Sequence, residues 1–305
     1  MTAQQLFNAL FNAGIFVMVT TLVASLGMGF TVSEVLAPLR RVGVVVVALG
    51  INLLVVPAVA WGLAELSPID SAQVVGIVLC CIAAAGPAGL KGAELSKRAD
   101  MAFAVSLVVV LMLANLVVAP LWAKAVVTGA TVSAWTIIKD LLLLVLIPLV
   151  IGLFCRARYA ELAAGWKTAL EKISNIALYF AIVLGLAINW SAFTSLLGSW
   201  TIVTAVVLVV AFVALGFLIG PKDPSLRLTG AMVTGMRFQP LGFVIIATQL
   251  DNDPAYLAPA LVFALVNTIV VFVIGAELGR RAPSRRHGAG RAPAAAAAAS
   301  IGTAE

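Results

Sequence analysis

The stretch Met232-Val-Thr-Gly-Met-Arg-Phe-Gln-Pro-Leu-Gly242 lies in the middle of an apolar segment long enough to cross a bilayer. It nevertheless holds an arginine, a glutamine, a proline and two glycines. A charge at the centre of a membrane helix is costly, which makes Arg237 a candidate functional residue. Pro240 has no backbone N–H to donate and its ring clashes with the preceding turn, so the helix is expected to break or kink beside the charge. A broken membrane helix with a polar centre is one way to build a solute or ion site inside a bilayer.

The surrounding chain supports a membrane setting. Its mean hydropathy is +1.14, with 63% hydrophobic and only 10% charged residues, outside the range of soluble domains. Several apolar runs of about 20 residues can each span the hydrocarbon as a helix, so the chain is polytopic and all-α. The runs are continuous, whereas barrel strands alternate over short segments. The formal charge of +6 falls in short loops, where it sets topology and gives no reason to expect nucleic acid as a partner. Cys80, Cys81 and Cys155 form neither a disulfide framework nor a zinc spacing. No cleavable signal peptide is expected, because the first apolar run lacks a basic lead-in and a small-residue cleavage site.

About nine spans follow from a window of about 19 residues: roughly 10–30, 42–64, 72–95, 100–123, 136–156, 173–191, 199–220, 226–249 and 256–279. Basic residues cluster in alternate linkers: Arg40 and Arg41, Lys97 and Arg98, then Arg156, Arg158, Lys167 and Lys172, then Lys222 and Arg227. The opposite linkers carry Glu65, Asp70, Asp251 and Asp253, with Lys124 and Lys139 nearby. The positive-inside rule then puts the N-terminus outside and the C-terminus in the cytoplasm of a cell inner membrane. Residues 1–281 read as the membrane unit. Residues 282–305, rich in Pro, Arg and Ala, read as a disordered cytoplasmic tail.

Two spans differ from the rest. The third carries Ala85-Gly-Pro-Ala-Gly-Leu-Lys-Gly92, with breaks expected at Pro87 and Gly89; the eighth is expected to break at Gly235 and Pro240. An odd separation of five spans makes them cross in opposite directions, as in inverted repeats with a site near the midplane. Every acidic residue falls in a loop, a tail or the end of a span. Arg237 therefore lacks a carboxylate at its depth, leaving helix-end carbonyls, water or an anionic substrate as its partner. Its planar, permanently charged fork makes a fixed anion site rather than a proton relay. Lys91 could be its counterpart or could snorkel to the surface. Gln239 could line the site or cap freed backbone beside Pro240. Thr234 and Asn267 are further polar lining; for Asn52, Asn115, Asn189 and Asn267 alike, bonding between helices is the default reading.

Ala24-Ser-Leu-Gly-Met-Gly-Phe-Thr31, then Cys80-Cys81 followed by a Pro/Gly break, then Gly235-Met236, in that order, resemble the bile acid:sodium symporter family. The resemblance implies two inverted repeats: a panel from the spans near 10–30, 136–156 and 173–191, and a core from 42–123 and 199–279, in which two broken helices cross. It also implies sodium ligands, but the corresponding positions here are Val233, Arg237, Leu90, Lys91, Ala104 and Val108. Nearly all side-chain oxygens are lost and two replacements are cations, which puts sodium binding in doubt.

The sequence thus reads as a secondary carrier of a small organic anion, working by alternating access without sodium, with Lys91 and Arg237 in place of the ion. A conventional sodium-coupled symporter and a non-transporting membrane scaffold or sensor are the alternatives. An enzyme is disfavoured: the single histidine, His287, lies in the tail, and no acid–base pair falls at the midplane. No cofactor or metal site is expected.

Overall fold

The computed structural model describes residues 3–36, 40–127, 134–196, 198–220 and 222–281, and every regular element among them is helical. In order they are α1 (Ala3–Gly29), α2 (Val32–Leu36), α3 (Val42–Gly50), α4 (Val56–Glu65), α5 (Ser71–Ile82), α6 (Ala88–Leu95), α7 (Met101–Val126), α8 (Ala134–Leu141), α9 (Ile147–Arg158), α10 (Ala160–Ile188), α11 (Trp190–Leu196), α12 (Trp200–Gly216), α13 (Pro224–Gly235), α14 (Gln239–Gln249) and α15 (Pro254–Arg280). Single π turns, Ile51–Val55 and Leu142–Leu146, join α3 to α4 and α8 to α9. The tail at 282–305 lies outside the described residues.

Local chemistry sets several helix starts. Asp100 accepts from the Phe103 amide at the head of α7, and Ser199 from Thr201 at the head of α12. Asp223-Pro224 and Asp253-Pro254 open α13 and α15, each pairing a capping carboxylate with a proline in the first turn, where no N–H is missed.

Among the described residues, seven helical stretches are long and apolar enough to span a membrane, and eight if α11 and α12, bent by 74°, count as one. The remaining apolar stretch, 71–95, is divided into α5 and α6. Side chains such as Leu54, Val117, Phe154, Val183 and Val273 are exposed along these helices and suit a lipid environment.

Two expectations about the linkers are corrected. The basic stretch 156–172 is not a loop: only Tyr159 separates α9 from α10, which starts about two turns upstream of Lys167. The run from Ala160 to Lys172 is rich in good helix formers, and Lys167 and Glu171 stand 3.8 Å apart one turn along it. The segment before the seventh span likewise holds α11.

The helices pack in two groups. In the first, α1 lies along α9 and α10. In the second, α5 packs on α4, α14 and α15, and α12 on α13 and α15. The groups meet where α1 and α8 reach α14 and α10 reaches α15. At the centre of the second group, the Pro224–Gln249 stretch is 94% buried over its apolar window. The stretch with the most polar sequence is therefore also the most enclosed.

Contacts between loops agree on the faces. Arg41 pairs with Asp100 at 3.5 Å, and the Asp100 amide donates to Thr229 at 2.8 Å, so the heads of α3, α7 and α13 share one face. On the other face, Asn252 donates to Asn12 at 3.3 Å.

Candidate functional site

The two helix breaks touch. Between α5 and α6 the chain extends through Ala83–Pro87, and between α13 and α14 through Met236–Phe238. The Phe238 amide donates to the Ala83 carbonyl at 3.1 Å and the Gly86 amide to the Met236 carbonyl at 3.1 Å, so the two non-helical segments bind each other reciprocally. Gly86 is required by this approach: a β-carbon there would stand 2.9 Å from the Arg237 carbonyl oxygen. Gly242 is required for a similar reason, since its β-carbon would meet the Cys80 backbone at 2.9 Å.

The break positions differ slightly from the expected ones. Pro240 lies in the first turn of α14, where a missing N–H costs nothing, so the interruption falls just before it. Gly235 is the last residue of α13. Pro87 caps α6, and Gly89 already belongs to that helix, packed against Val233 and Met236.

Each break is held by an asparagine from the span that follows it. Asn115 on α7 accepts from the Ala84 amide at 3.1 Å and donates to its carbonyl at 2.8 Å, across a sequence separation of 31. Asn267 on α15 accepts from the Arg237 amide at 3.2 Å and donates to the Gly235 carbonyl at 2.7 Å, across separations of 30 and 32. Gln239 also donates to Asn267, so its amide supports the break. Buried backbone groups without a helical partner must find one elsewhere, and here the two asparagines provide it.

Arg237 is fully buried within this crossing. Its Nε donates to the Cys81 carbonyl at 2.8 Å, Nη1 to Asn52 Oδ1 at 3.1 Å and Nη2 to the Asn52 carbonyl at 3.3 Å. The guanidinium carbon also lies 5.8 Å from the centre of the Phe212 ring. Local sequence frees these acceptors. Cys81 is in the last turn of α5, where carbonyls lose their helical donors and the helix end is negative. Asn52 lies in a π turn, whose i+5 donor would be residue 57; Pro57 has no N–H to give. The same proline frees the Leu53 carbonyl, which Trp122 Nε1 reaches at 2.8 Å. Asn52 then uses its amide to reach Ala48 and Thr234, both at 3.0 Å.

Arg237, Thr234, Gln239 and Asn267 are thus one connected network, joined by Asn52. Lys91 is kept apart. Its ammonium pairs with Glu94 at 2.9 Å, and its side chain is 63% exposed. One turn of α6 beyond the break, the long stem carries its charge outward, the snorkelling outcome. Of the positions matched to sodium ligands, Val233, Ala104 and Val108 are fully buried and offer no side-chain oxygen. Cys80 and Cys81 are buried free thiols.

Asp140 acquires a significance the sequence did not show. It lines a cavity of about 210 Å³ between α1, the α8–α9 segment and α14, together with Asn12 and Thr248. As one polar residue near the end of an apolar span, it offered no periodic signal of facing inward rather than the membrane surface.

Interrupted spans meeting at a buried polar crossing within a helical bundle define the class of secondary carriers. Residues 15–196 match the sodium bile acid symporter family, and the chain belongs to that family. Its members are membrane transporters rather than enzymes, and the family places the chain among carriers of bile-acid-like or related organic anions. The match includes Asn52, Asn115 and Asp140 and ends before Arg237. No curated protein matches the chain.

Proposed function

We propose that this protein carries a small organic anion without sodium, its own Arg237 guanidinium standing where a coupling cation would otherwise bind. The carrying observation is that Arg237 spends its charge on protein oxygens, at the Cys81 carbonyl and both oxygens of Asn52, in a site with no carboxylate. A hard cation needs several oxygen ligands converging on it. Val233, Ala104 and Val108 supply none, and Arg237 itself occupies carbonyls at the break, so these residues do not fit a sodium ion. Arg237 thus neutralises the negative end of α5 and holds the crossing closed, and it is not exposed to bind the solute directly.

In this reading the group of α1, α8, α9 and α10 is the panel and the group of α3 to α7 with α12 to α15 is the core. The core moves against the panel to expose the solute alternately to each side, with the N-terminus outside and the C-terminus in the cytoplasm. The test is uptake of labelled organic anions into proteoliposomes, with sodium on both sides or replaced by choline. Equal uptake in both media is expected. Uptake that requires sodium would return the protein to ordinary sodium symport. A wild type that moves no anion would favour a scaffold or sensor.

A further inference from the structure

The cavity between the two helix groups has a composition that bears on what enters it. Its walls are apolar, from Phe16 on α1 to Leu144 in the second π turn and Val244 on α14, and its polar groups are Asn12, Asp140 and Thr248. Asp140 Oδ2 is buried and has no hydrogen-bond partner among the described residues. Thr248 stands within hydrogen-bonding reach of the carboxyl from α14, and its hydroxyl also lies 2.9 Å from the Val244 carbonyl, so Oδ2 is the carboxyl oxygen left without a partner.

Among the described residues no cation pairs with this carboxylate. The elements packed around it are α1, α7, α14 and the π turn. Among the described residues α1, α14 and the π turn carry no titratable side chain, and α7 carries Lys124 near its end. On α8 itself Lys139 lies over the Trp135 ring at 5.5 Å. Both lysines are exposed, and neither pairs with Asp140 within 4.0 Å.

An anion carrier whose solute cavity holds one unpaired carboxylate faces a specific problem. Two carboxylates brought together against apolar walls repel each other, and the pair is relieved by sharing one proton. We propose that this cavity binds a small monocarboxylic acid with an apolar body together with one proton, shared between the solute carboxylate and Asp140 Oδ2. The inference rests on the reading of the chain as an anion carrier. The proton comes from water on the open side and forms an O–H bond on Asp140 or on the solute, with a hydrogen bond to the other. When the cavity opens to the opposite side, that O–H bond breaks, or leaves with the acid, and Asp140 is returned unprotonated. One proton and one anion cross together, so no net charge moves.

The test uses the purified full chain in detergent with mandelate as the probe. Calorimetric titration in two buffers of different ionisation enthalpy counts the protons taken up on binding. The expected result is one proton per mandelate, with affinity falling about tenfold per pH unit on the alkaline side. Asp140→Asn should take up none, and Asp140→Glu should restore the uptake. Heats that do not depend on the buffer, no mandelate binding by the wild type, or binding of phenethylamine in its place would each overturn the proposal. Sodium dependence in proteoliposomes would sink the sodium-free reading alone, because proton-linked binding is measured here without transport.

Discussion

At the scale of the residue, Arg237 supports the crossing by reaching three acceptors at once with a rigid fork. Arg237→Gln leaves some of the Cys81 and Asn52 oxygens unpaired, at roughly 1–3 kcal/mol for each stranded buried group. A clear fall in the unfolding temperature of the detergent-solubilised protein is the expected outcome, with uptake lost. Arg237→Lys should fall between, since an ammonium on a flexible stem cannot bond to all three in one plane. The double variant Val233→Glu/Arg237→Gln brings back a carboxylate and removes the fixed charge. Sodium should then raise its unfolding temperature while leaving the wild type unchanged. Lys91→Ala should leave uptake near the wild-type rate, because that side chain is exposed and paired on the surface. Arg237 was legible in the sequence because a charge inside an apolar run has few explanations. Its acceptors were not, because a backbone carbonyl freed by Pro57 or by the end of α5 carries no letter of its own.

At the scale of the element, the two breaks are built alike: a short non-helical segment, and an asparagine one span later that closes the backbone around it. Asn115→Ala and Asn267→Ala should therefore cost comparable stability, roughly 1–3 kcal/mol for each backbone group left unpaired, read from thermal or denaturant unfolding. Gly86→Ala should be worse tolerated than its size suggests, since its neighbour is the backbone of the other break. At the head of α13, the Ser225 hydroxyl and then its amide hold the Asp223 carboxyl below the usual carboxylate range. That stabilisation is complete above the ordinary carboxyl pKa of about 3.9 and is lost as pH falls through the lower folded value. Asp223→Asn should remove this part of the acid dependence in a pH series of unfolding temperatures. Pro and Gly announced the breaks but not their register, because Pro240 is as comfortable in the first turn of a helix as it is disruptive in the middle. The asparagines read as ordinary links between helices until their equal separation from the breaks came into view. The α9–α10 junction escaped because basic residues read as loop, although Lys and Glu are good helix formers.

At the scale of the molecule, the charge asymmetry and the loop contacts make a joint prediction. Arg41, Asp100 and Thr229 share one face, and the positive-inside rule predicts that this face, which carries the basic linkers, is cytoplasmic. A fluorescent protein fused after Glu305 should fluoresce, and a reactive cysteine introduced at Asp251 should be labelled by an impermeant reagent from outside; the reverse pattern would invert the topology. The polytopic helical architecture and the meeting of two breaks were legible from apolar run length and from the two Pro/Gly interruptions, although about nine spans were expected and the described residues hold seven or eight helices long enough to cross. The cavity beside Asp140 was not, because it forms between helices distant in the chain. A cation tethered through Arg237 has a local concentration that no dilution of the medium can lower. On the proposed reading, sodium arrival and sodium release drop out of the transport cycle as kinetic events, leaving only the proton and the solute to come and go, and a carrier of this kind would run at the same pace in fresh water as in brine.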